Sequence, residues 1–392
     1  MLMIHKKRVI TPCSIYILLW LLYNMQGILY PSGGVVSVSV LAILMVWGMY
    51  NMIQANRYIP IPKYFKGLNV LLLLFTVYGI YLMMLGQDIF ITEGDVREVR
   101  KFGYLKEVYS SLLPTYSFYL FAKRQEFDSA LFNKWFVAFI FVAVLQYVRA
   151  LHMNMISVGN DEVTNNSGYL FVALMPGLLL FRAKPIWQYV CALAFLALIF
   201  FSMKRGAILI GVFAVAYFFY YKLNHSTGRK KAIVFFALSI FFVFSCFLVS
   251  QLLETSDYFN ARLQATLEGN DSNRSEMYSH LWNVFLHESS MLQMLFGRGA
   301  WGTLTVNMNF AHNDWLEILI NQGLLGIAVF LYYLWCFYKS GKDNRMSQDM
   351  QSCLFLAFLI CLAKTFFSMS YSDMNIYLTS AMGLCLASRK SS

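Results

Sequence analysis

Runs of about twenty apolar residues recur along the whole 392-residue chain, and this recurrence restricts the possible folds more than any other feature. Apolar residues make up 59% of the sequence and charged residues only 13%. A water-soluble fold cannot bury so much apolar surface, whereas a helix of ~20 apolar residues crosses the ~30 Å hydrocarbon layer of a bilayer. The sequence therefore predicts an all-α polytopic membrane protein, with residues 1–392 forming a single integral membrane domain.

Hydropathy predicts about twelve transmembrane helices, with boundary errors of about ±2–4 residues each. The predicted spans lie near residues 9–30, 34–53, 68–86, 105–122, 134–151, 167–182, 186–202, 206–221, 232–252, 316–338, 352–371 and 373–388. Between the ninth and tenth spans, residues 253–315 form a hydrophilic loop of 63 residues. Loops this long in a compact protein are usually functional, so we expect this loop to be catalytic.

Positive charges concentrate in every second connecting segment, and therefore on one side of the membrane. Segments on one side hold 20 of the 31 lysines and arginines but only four of the 20 acidic residues, which predicts that this side and both termini are cytoplasmic. Those cations are Lys6, Lys7, Arg8, Arg57, Lys63, Lys66, Lys123, Arg124, Lys134, Arg182, Lys184, Lys222, Arg229, Lys230, Lys231, Lys339, Lys342, Arg345, Arg389 and Lys390. The net charge of +11 thus reflects membrane topology, and no nucleic-acid partner is predicted.

Three of the remaining cations stand out by their positions. Lys204 and Arg205 occupy a very short turn on the outside, where they either reach lipid phosphates or bind a substrate. Lys364 lies within the eleventh predicted span, where a cation costs at least ~2.5 kcal/mol on insertion scales. It is either a buried partner of another polar group or a cation that lines a cavity.

Two outside segments carry further patterns. The loop 253–315 has apolar residues at helical spacings, which predicts short amphipathic helices lying over the membrane. They include Met277, Leu281, Trp282, Phe285, Leu286, Met291 and Leu292. The segment 87–104 mixes acidic and basic residues and is predicted to be a solvated amphipathic face. No Asp-x-Asp pair lies outside and none of the seven cysteines forms a Cys-x-x-Cys pair, so no metal site is predicted.

A group of short motifs lies in and after the long loop. They are FGRGAWG at 296–302, AHNDWLE at 311–317 and NQGLLG at 321–326. Together they closely resemble the signature of the O-antigen ligase/polymerase superfamily. The turn at Lys204, Arg205 and Gly206 resembles the Ser-Arg-Gly element of that family, with Lys204 where serine is usual, and Arg274 upstream of Trp282 resembles its loop arginine. The resemblance covers residues 200–330.

The resemblance implies transfer of a lipid-linked glycan on the extracytoplasmic face of a bacterial inner membrane. Members of the family take a saccharide from undecaprenyl diphosphate and join it to an acceptor hydroxyl, and they need no metal or nucleotide cofactor. The expected partners are the lipid-linked oligosaccharide, a glycan or lipid A core acceptor, membrane lipids, a flippase and a chain-length regulator.

The residue types agree with that chemistry. The planar guanidinium of arginine pairs bidentately with phosphate oxygens, so Arg205 and Arg274 are candidates to stabilise the diphosphate leaving group. His312 can accept a proton from an attacking hydroxyl near neutral pH. It could instead be a surface residue at a helix start that Asn313 or Asp314 caps.

The remaining candidates have less specific roles. Lys204, Arg298, Asp314 and Lys364 are candidate substrate-binding residues. Arg298 lies between two glycines and either contacts substrate or anchors a turn. Asp314 either caps a helix or orients His312.

The sequence leaves the acceptor open. One hypothesis is a polymerase that builds O-antigen, capsular polysaccharide or exopolysaccharide from lipid-linked repeat units. Another is a ligase that transfers the glycan to lipid A core or to a protein. A third, from another class, is a polysaccharide transporter or flippase, which tends to have charged or interrupted helices in both halves of the chain. In this sequence the clear intramembrane charge is Lys364 alone, in the second half of the chain. The transporter pattern is therefore not met, which favours an enzyme.

Overall fold

The structure is a computed structural model that describes most of the chain between residues 11 and 389. The described residues are 11–58, 60–85, 89–93, 95–99, 101–158, 165–182, 184–255, 260, 264, 274–307, 309–367, 370 and 374–389. In chain order the helices are α1 (Pro12–Asn24), α2 (Val35–Ala55), α3 (Lys63–Met84), α4 (Phe102–Lys123), α5 (Ser129–Val158), α6 (Gly168–Leu180), α7 (Pro185–Phe201), α8 (Arg205–Asn224), α9 (Arg229–Thr255), α10 (Arg274–Asn283), α11 (Met291–Phe296), α12 (Thr303–Val306), α13 (Asp314–Gly341), α14 (Gln348–Phe367) and α15 (Ile376–Ala387).

Helices α1 to α9 and α13 to α15 correspond one for one to the twelve predicted spans, which confirms the polytopic helical architecture. By length and composition, seven of the described helices can cross a membrane: α2, α3, α5, α8, α9, α13 and α14. The apolar helices α1, α6, α7 and α15 are shorter, with 12 to 17 residues each.

Helix α4 has the length of a span but a more polar sequence. It packs against α2, α3 and α15, and its residues 111–121 are buried. The Asn51 amide of α2, for example, donates a hydrogen bond of 3.1 Å to the Ser117 hydroxyl of α4. The polar groups of α4 therefore meet other helices rather than lipid, which relaxes the need for an apolar sequence.

The segment before α4 differs from the all-helical prediction. Residues Ile89–Glu93 (β1) and Asp95–Val99 (β2) form a two-stranded antiparallel sheet, in which Ile89 pairs with Val99. The amphipathic face predicted over 87–104 is therefore carried partly by strands, and its exposure to solvent stays a prediction. Isoleucine, threonine and valine flank a central glycine in this stretch, and β-branched residues around a turn residue favour a hairpin.

The described part of the long loop contains short helices that pack against α13, which confirms the predicted short amphipathic helices. Helix α10 continues into one π-helical turn, Val284–Glu288. On one face, Leu281 and Phe285 are buried against Leu319 and Ile320 of α13. On the other face, large apolar side chains stay exposed, as expected for helices that rest on a membrane surface. They are Trp282, Leu286, Met291 and Leu292.

Helix α13 is broken at Gly323, and the glycine-rich turn of the long loop fills the break. Gly323 has φ 67° and ψ −161°, outside the helical region. The carbonyls of Ile320 and Asn321 accept hydrogen bonds from the backbone N–H groups of Arg298 and Gly299, at 2.8 and 2.9 Å. A Cβ atom on Gly323 would lie 2.6 Å from the Gly297 nitrogen, so only glycine permits this approach. The turn that carries Arg298 is thereby fixed to α13.

Replacing Gly297 by alanine is expected to destabilise the folded protein by about 3 kcal/mol. Its φ is +76°, and a Cβ there would lie 2.3 Å from the Asn321 carbonyl. The matched control is Gly33→Ala, because Gly33 has φ +72° with no atom within 4 Å of its Cβ position. Thermal unfolding of both variants in one detergent measures the difference. Equal unfolding temperatures would show that the turn does not pack tightly on α13.

Candidate functional site

His312 lies directly before α13 in a left-handed backbone conformation, with φ +51°. The side chain of Asn313 caps the helix by accepting hydrogen bonds from the N–H groups of Trp315 and Leu316, at 3.0 and 3.3 Å. Of the two alternatives for the cap, the structure thus selects Asn313 over Asp314. His312 stays exposed, so its imidazole is accessible to a substrate.

Two of the predicted cations lie near His312 although they are distant in sequence. The positive charges of Arg274, the first residue of α10, and of Lys204, which directly precedes α8, both act on the imidazole. Both residues are half-buried. The turn before α8, the long loop and the start of α13 therefore meet at one place.

This environment lowers the pKa of His312 below its usual value near 6.5. The largest cause is the loss of hydration to the surrounding protein, even though part of the residue stays exposed, and the charges of Arg274 and Lys204 lower the pKa further. At neutral pH the imidazole is therefore uncharged, which is the form that accepts a proton.

Arg205 and Lys364 belong to the same region. Arg205 is the first residue of α8 and is half-buried. A Cβ atom on the next residue, Gly206, would lie 2.9 Å from the Cβ of Phe367, which is the last residue of α14. One turn earlier in α14, the Lys364 ammonium group lies 5.0 Å from the ring centre of Tyr169. We call Lys204, Arg205, Arg274 and Lys364 the cationic cluster.

Asp314 is fully buried beside this cluster and is held by the segment after α14. One of its carboxylate oxygens accepts hydrogen bonds from both the backbone N–H, at 2.8 Å, and the hydroxyl of Ser370. Asp314 also interacts electrostatically with Lys364. Among the described residues its hydrogen-bond donor is Ser370 and not His312, so Asp314 joins two segments of the site instead of orienting the imidazole directly.

A side-chain hydrogen bond joins the start of α13 directly to α14. The Trp315 indole N–H donates a hydrogen bond of 3.0 Å to the hydroxyl of Thr365, the residue after Lys364 in α14. The start of α13 is therefore attached to α14 at Trp315 and to the segment after α14 at Asp314. Because His312 precedes Asp314 by two residues, these contacts hold the backbone next to it close to Lys364.

Glu317 is a buried residue that the sequence analysis did not identify. Its carboxylate accepts a hydrogen bond of 2.9 Å from the Ala311 backbone N–H and another of 3.0 Å from the Asn321 amide. Asn321 in turn accepts from the N–H and hydroxyl of Thr303, at 2.7 and 2.9 Å. Since Ala311 directly precedes His312, this network positions the histidine. The pattern His-Asn-Asp-x-x-Glu was visible in the sequence, but it gave no sign that Glu317 turns back to the loop.

Arg298 is separated from the cationic cluster and lines a different surface. It borders a groove of about 770 Å³ between α3 and α13, with apolar walls. From its sequence context, Arg298 was predicted to be a substrate-binding residue like Lys204, Asp314 and Lys364. The structure instead places it on the α3 side of α13, because its backbone is bound to Ile320 at the helix break.

A second apolar groove, with a volume of about 370 Å³, lies between α8 and α14, the helices that carry Arg205 and Lys364. Its walls include Ile210, Phe213 and Phe367. The side chain of Phe213 is 66% exposed, so the groove opens toward the lipid.

Backbone strain accompanies the site on both of its loops. Met203, which precedes Lys204, has φ +51°, the same value as His312. Such conformations of residues other than glycine cost about 1–3 kcal/mol and are found preferentially at functional sites. Histidine tolerates this region better than most residues. One strained residue directly precedes Lys204, and the other is His312 itself.

Replacing Lys204 by glutamine is expected to move the acid limb of the rate profile to higher pH. Removing a positive charge near His312 raises its pKa, so the imidazole becomes protonated, and inactive as a base, at a higher pH. Initial rates of glycan transfer between about pH 4.5 and 8 measure this limb.

The control for this measurement is Lys101→Gln. Lys101 lies at the start of α4, and its charge is not among those that lower the pKa of His312. Its replacement should leave the limb in place. If the limb of the Lys204 variant also stays in place, the rate does not depend on the protonation of His312.

The arrangement suits transfer of a group from an anionic carrier. The cationic cluster can attract and stabilise a phosphate-containing leaving group, and neutral His312 can accept a proton beside it. Within the described part of the chain, no group of three or more histidine, cysteine, aspartate or glutamate side chains could hold a metal ion.

The fold and the site define a polytopic helical membrane protein with a histidine and a cationic cluster at the ends of α8, α13 and α14. Residues 190–331 match the sequence model of the O-antigen ligase family, over more than a third of the chain. The predicted resemblance to the O-antigen ligase/polymerase superfamily is thereby confirmed for this region. It contains all the candidate residues except Lys364.

The match implies a glycosyltransferase-like function of the ligase or polymerase type, with a lipid-linked glycan and an acceptor as substrates. No curated protein and no solved structure matches the chain significantly.

Proposed function

We propose that the protein polymerises undecaprenyl diphosphate-linked oligosaccharide repeat units on the extracytoplasmic face of the bacterial inner membrane. The product is O-antigen, capsular polysaccharide or exopolysaccharide. The observation that carries this proposal is the convergence of Arg274 and Lys204 on His312, within the region that matches the O-antigen ligase family. This convergence supports the assignment of a base and a diphosphate-binding group to one place.

In the proposed reaction, an acceptor hydroxyl attacks the anomeric carbon of the donor saccharide. The bond from that carbon to the diphosphate oxygen breaks, and its electron pair leaves with the diphosphate. His312 takes the hydroxyl proton, and its lowered pKa keeps it neutral before this step. Arg205 and Arg274 stabilise the charge that develops on the leaving diphosphate, while Lys204 and Lys364 contribute further positive charge.

The groove between α8 and α14 suits the hydrocarbon chain of the donor. Its walls are apolar, it opens to lipid, and it lies beside the helix that begins at Arg205. A polyprenyl diphosphate bound there would place its tail in the groove and its headgroup in the cationic cluster. The electrostatic stabilisation comes entirely from side chains in this proposal, so no metal or nucleotide takes part.

The orientation rests on the charge distribution. The cations concentrated on one side predict that both termini are cytoplasmic, which puts His312 and the loop 253–315 outside. Substrate must then reach the outer leaflet, so a flippase acts before this protein. A chain-length regulator is the expected partner afterwards.

A ligase that transfers the glycan to lipid A core, or to a protein, is the second candidate, because the family match is described as O-antigen ligase. Both reactions use the same donor chemistry and differ only in the acceptor. The transporter hypothesis is less favoured, since transport alone does not need a histidine held neutral next to two cations.

Glycan analysis of a deletion strain separates the two enzymes. Without a polymerase, the final acceptor carries single repeat units. Without a ligase, long chains accumulate on the carrier lipid. We expect the first result, and restoration of long chains by the wild-type gene. Long chains on the carrier lipid in the deletion strain would instead establish the ligase function.

A further inference from the structure

The groove between α3 and α13 is distinct from the groove between α8 and α14, and Arg298 forms part of its wall. It has a volume of about 770 Å³, and α3 contributes Val70, Leu73 and Val77 to its wall. The side chains of Leu73 and Val77 are 66% and 56% exposed, so this groove also opens to lipid. The main question is which molecule fills it.

Arg298 supplies the positive charge at one end of this groove. One of its terminal nitrogens makes only long hydrogen bonds, of 3.5 Å to the Glu288 carbonyl and 3.4 Å to the Ser289 hydroxyl. Its Nε atom is buried without a hydrogen-bond partner among the described residues. A half-buried guanidinium group on the wall of an apolar groove, whose described terminal hydrogen bonds are long, matches a lipid that has an anionic headgroup.

The groove is connected to His312 through rigid structure. The Arg298 and Gly299 backbones are bonded to Ile320 and Asn321 of α13, and Asn321 is bonded to Glu317, which holds Ala311 beside His312. From Asp314 to Ile320 the helix rises by about 9 Å. A saccharide attached to a lipid headgroup at Arg298 can therefore extend along α13 toward the histidine.

We infer that the groove between α3 and α13, with Arg298 at its end, binds the acceptor as a second polyprenyl diphosphate-linked saccharide. This inference rests on the proposed polymerase function, in which both substrates are anchored in the membrane by the same kind of lipid. Two lipid-anchored substrates need two entrances from the bilayer, and α13, which begins two residues after His312, packs against both α3 and α14. The donor occupies the groove at α8 and α14, and the acceptor occupies the groove at α3 and α13.

Photocrosslinking with a saccharide-free polyprenyl diphosphate tests both sites in the purified protein. The probe carries a photoreactive group on its hydrocarbon chain, and the protein is reconstituted in phosphatidylcholine nanodiscs. Mass spectrometry of the labelled peptides should locate the probe on α3 and also on α8 or α14. Arg298→Ala should reduce labelling of α3 about tenfold and leave labelling of α8 and α14 unchanged.

Two further variants serve this experiment. Leu73→Trp narrows the groove at an exposed position, so it should reduce labelling of α3 even if the Arg298 variant folds poorly. Arg149→Ala is the matched control, because Arg149 is an arginine of α5 that lies near Gly27 and Ser32 instead of in either groove. Its replacement should change neither label.

The outcomes separate this inference from the proposed function. Labelling of α8 and α14 without α3 would overturn the second site alone, whereas no labelling of either groove would contradict the proposed donor chemistry as well. Competition shows what fills the groove. Unlabelled polyprenyl diphosphate should displace the probe from α3. If phosphatidylglycerol or lipid A core displaces it equally effectively, the acceptor assignment is wrong.

A kinetic measurement tests the acceptor role itself. A lipid-linked saccharide with a methylene group in place of the oxygen between sugar and diphosphate can accept a glycan but cannot donate one. We expect Arg298→Ala to raise the KM for this acceptor about tenfold with kcat at saturation unchanged. An unchanged KM for the acceptor, with a raised KM for the donor, would assign the groove to the donor instead.

Discussion

Replacing either Arg205 or Arg274 by alanine is expected to abolish long glycans while the protein still inserts into the membrane. The physical reason is that the negative charge on the departing diphosphate grows as the glycosidic bond breaks. Removing one preorganised donor to such a charge typically lowers kcat by about 10²–10³-fold. Glycan length in a complemented deletion strain, together with the amount of protein in the membrane fraction, measures both parts of this result.

Lysine variants refine this test. Lysine keeps the charge but loses the planar fork that pairs with two phosphate oxygens, so Arg205→Lys and Arg274→Lys should retain part of the activity. Arg149→Ala removes an arginine from outside the cationic cluster and should leave glycan length unchanged. Normal chain lengthening in either alanine variant would rule out the role of that arginine in binding the diphosphate.

Replacing His312 by alanine should lower turnover by about 10²–10⁴-fold and change donor binding little. A general base acts in the transition state, so its loss reduces kcat more than it raises the KM for the donor. Single-turnover rates and binding of a labelled polyprenyl diphosphate measure the two quantities separately.

His287→Ala is the matched control for the histidine. His287 is also in the long loop and is exposed, but it lies in the π-helical turn rather than before α13. Its removal should leave the rate unchanged. A wild-type rate in the His312 variant would mean that this histidine only occupies a strained turn, and that the proton leaves the acceptor by another route.

The sequence predicted the membrane architecture well because hydropathy depends on composition alone. Every predicted span corresponds to a described helix, including α4, whose polar residues are buried by its neighbours. Hydropathy did not predict the hairpin of β1 and β2, because charged residues are interspersed among the β-branched residues of this segment. Short strands need few apolar residues, so hydropathy does not detect them.

The candidate site was predictable where a residue departed from the charge pattern or belonged to a motif. Lys204, Arg274 and His312 were identified in this way, and the structure brings them together. The supporting contacts were not predictable, because they join residues far apart in the chain. Asp314 and Ser370 are separated by 56 residues, and nothing near Asp314 indicates this partner.

The position of Arg298 was not predictable from the sequence for a second reason. In the sequence it lies close to His312, and it was predicted either to contact substrate or to anchor a turn. The direction of the turn depends on the positive φ of Gly297 and on the free carbonyls at the break in α13. Backbone geometry of this kind leaves only the glycines as a signal, and they do not specify which face of α13 the turn contacts.

Reconstitution of the purified protein with lipid-linked repeat units is the most direct test of the central claim. Proteoliposomes that contain this protein as their only enzyme, with no nucleotide and with a chelator present, should convert single repeat units on the carrier lipid into a ladder of longer chains. The His312→Ala protein should form no ladder. Movement of unchanged lipid-linked units between the leaflets, without a new glycosidic bond, would contradict the account and indicate a transporter.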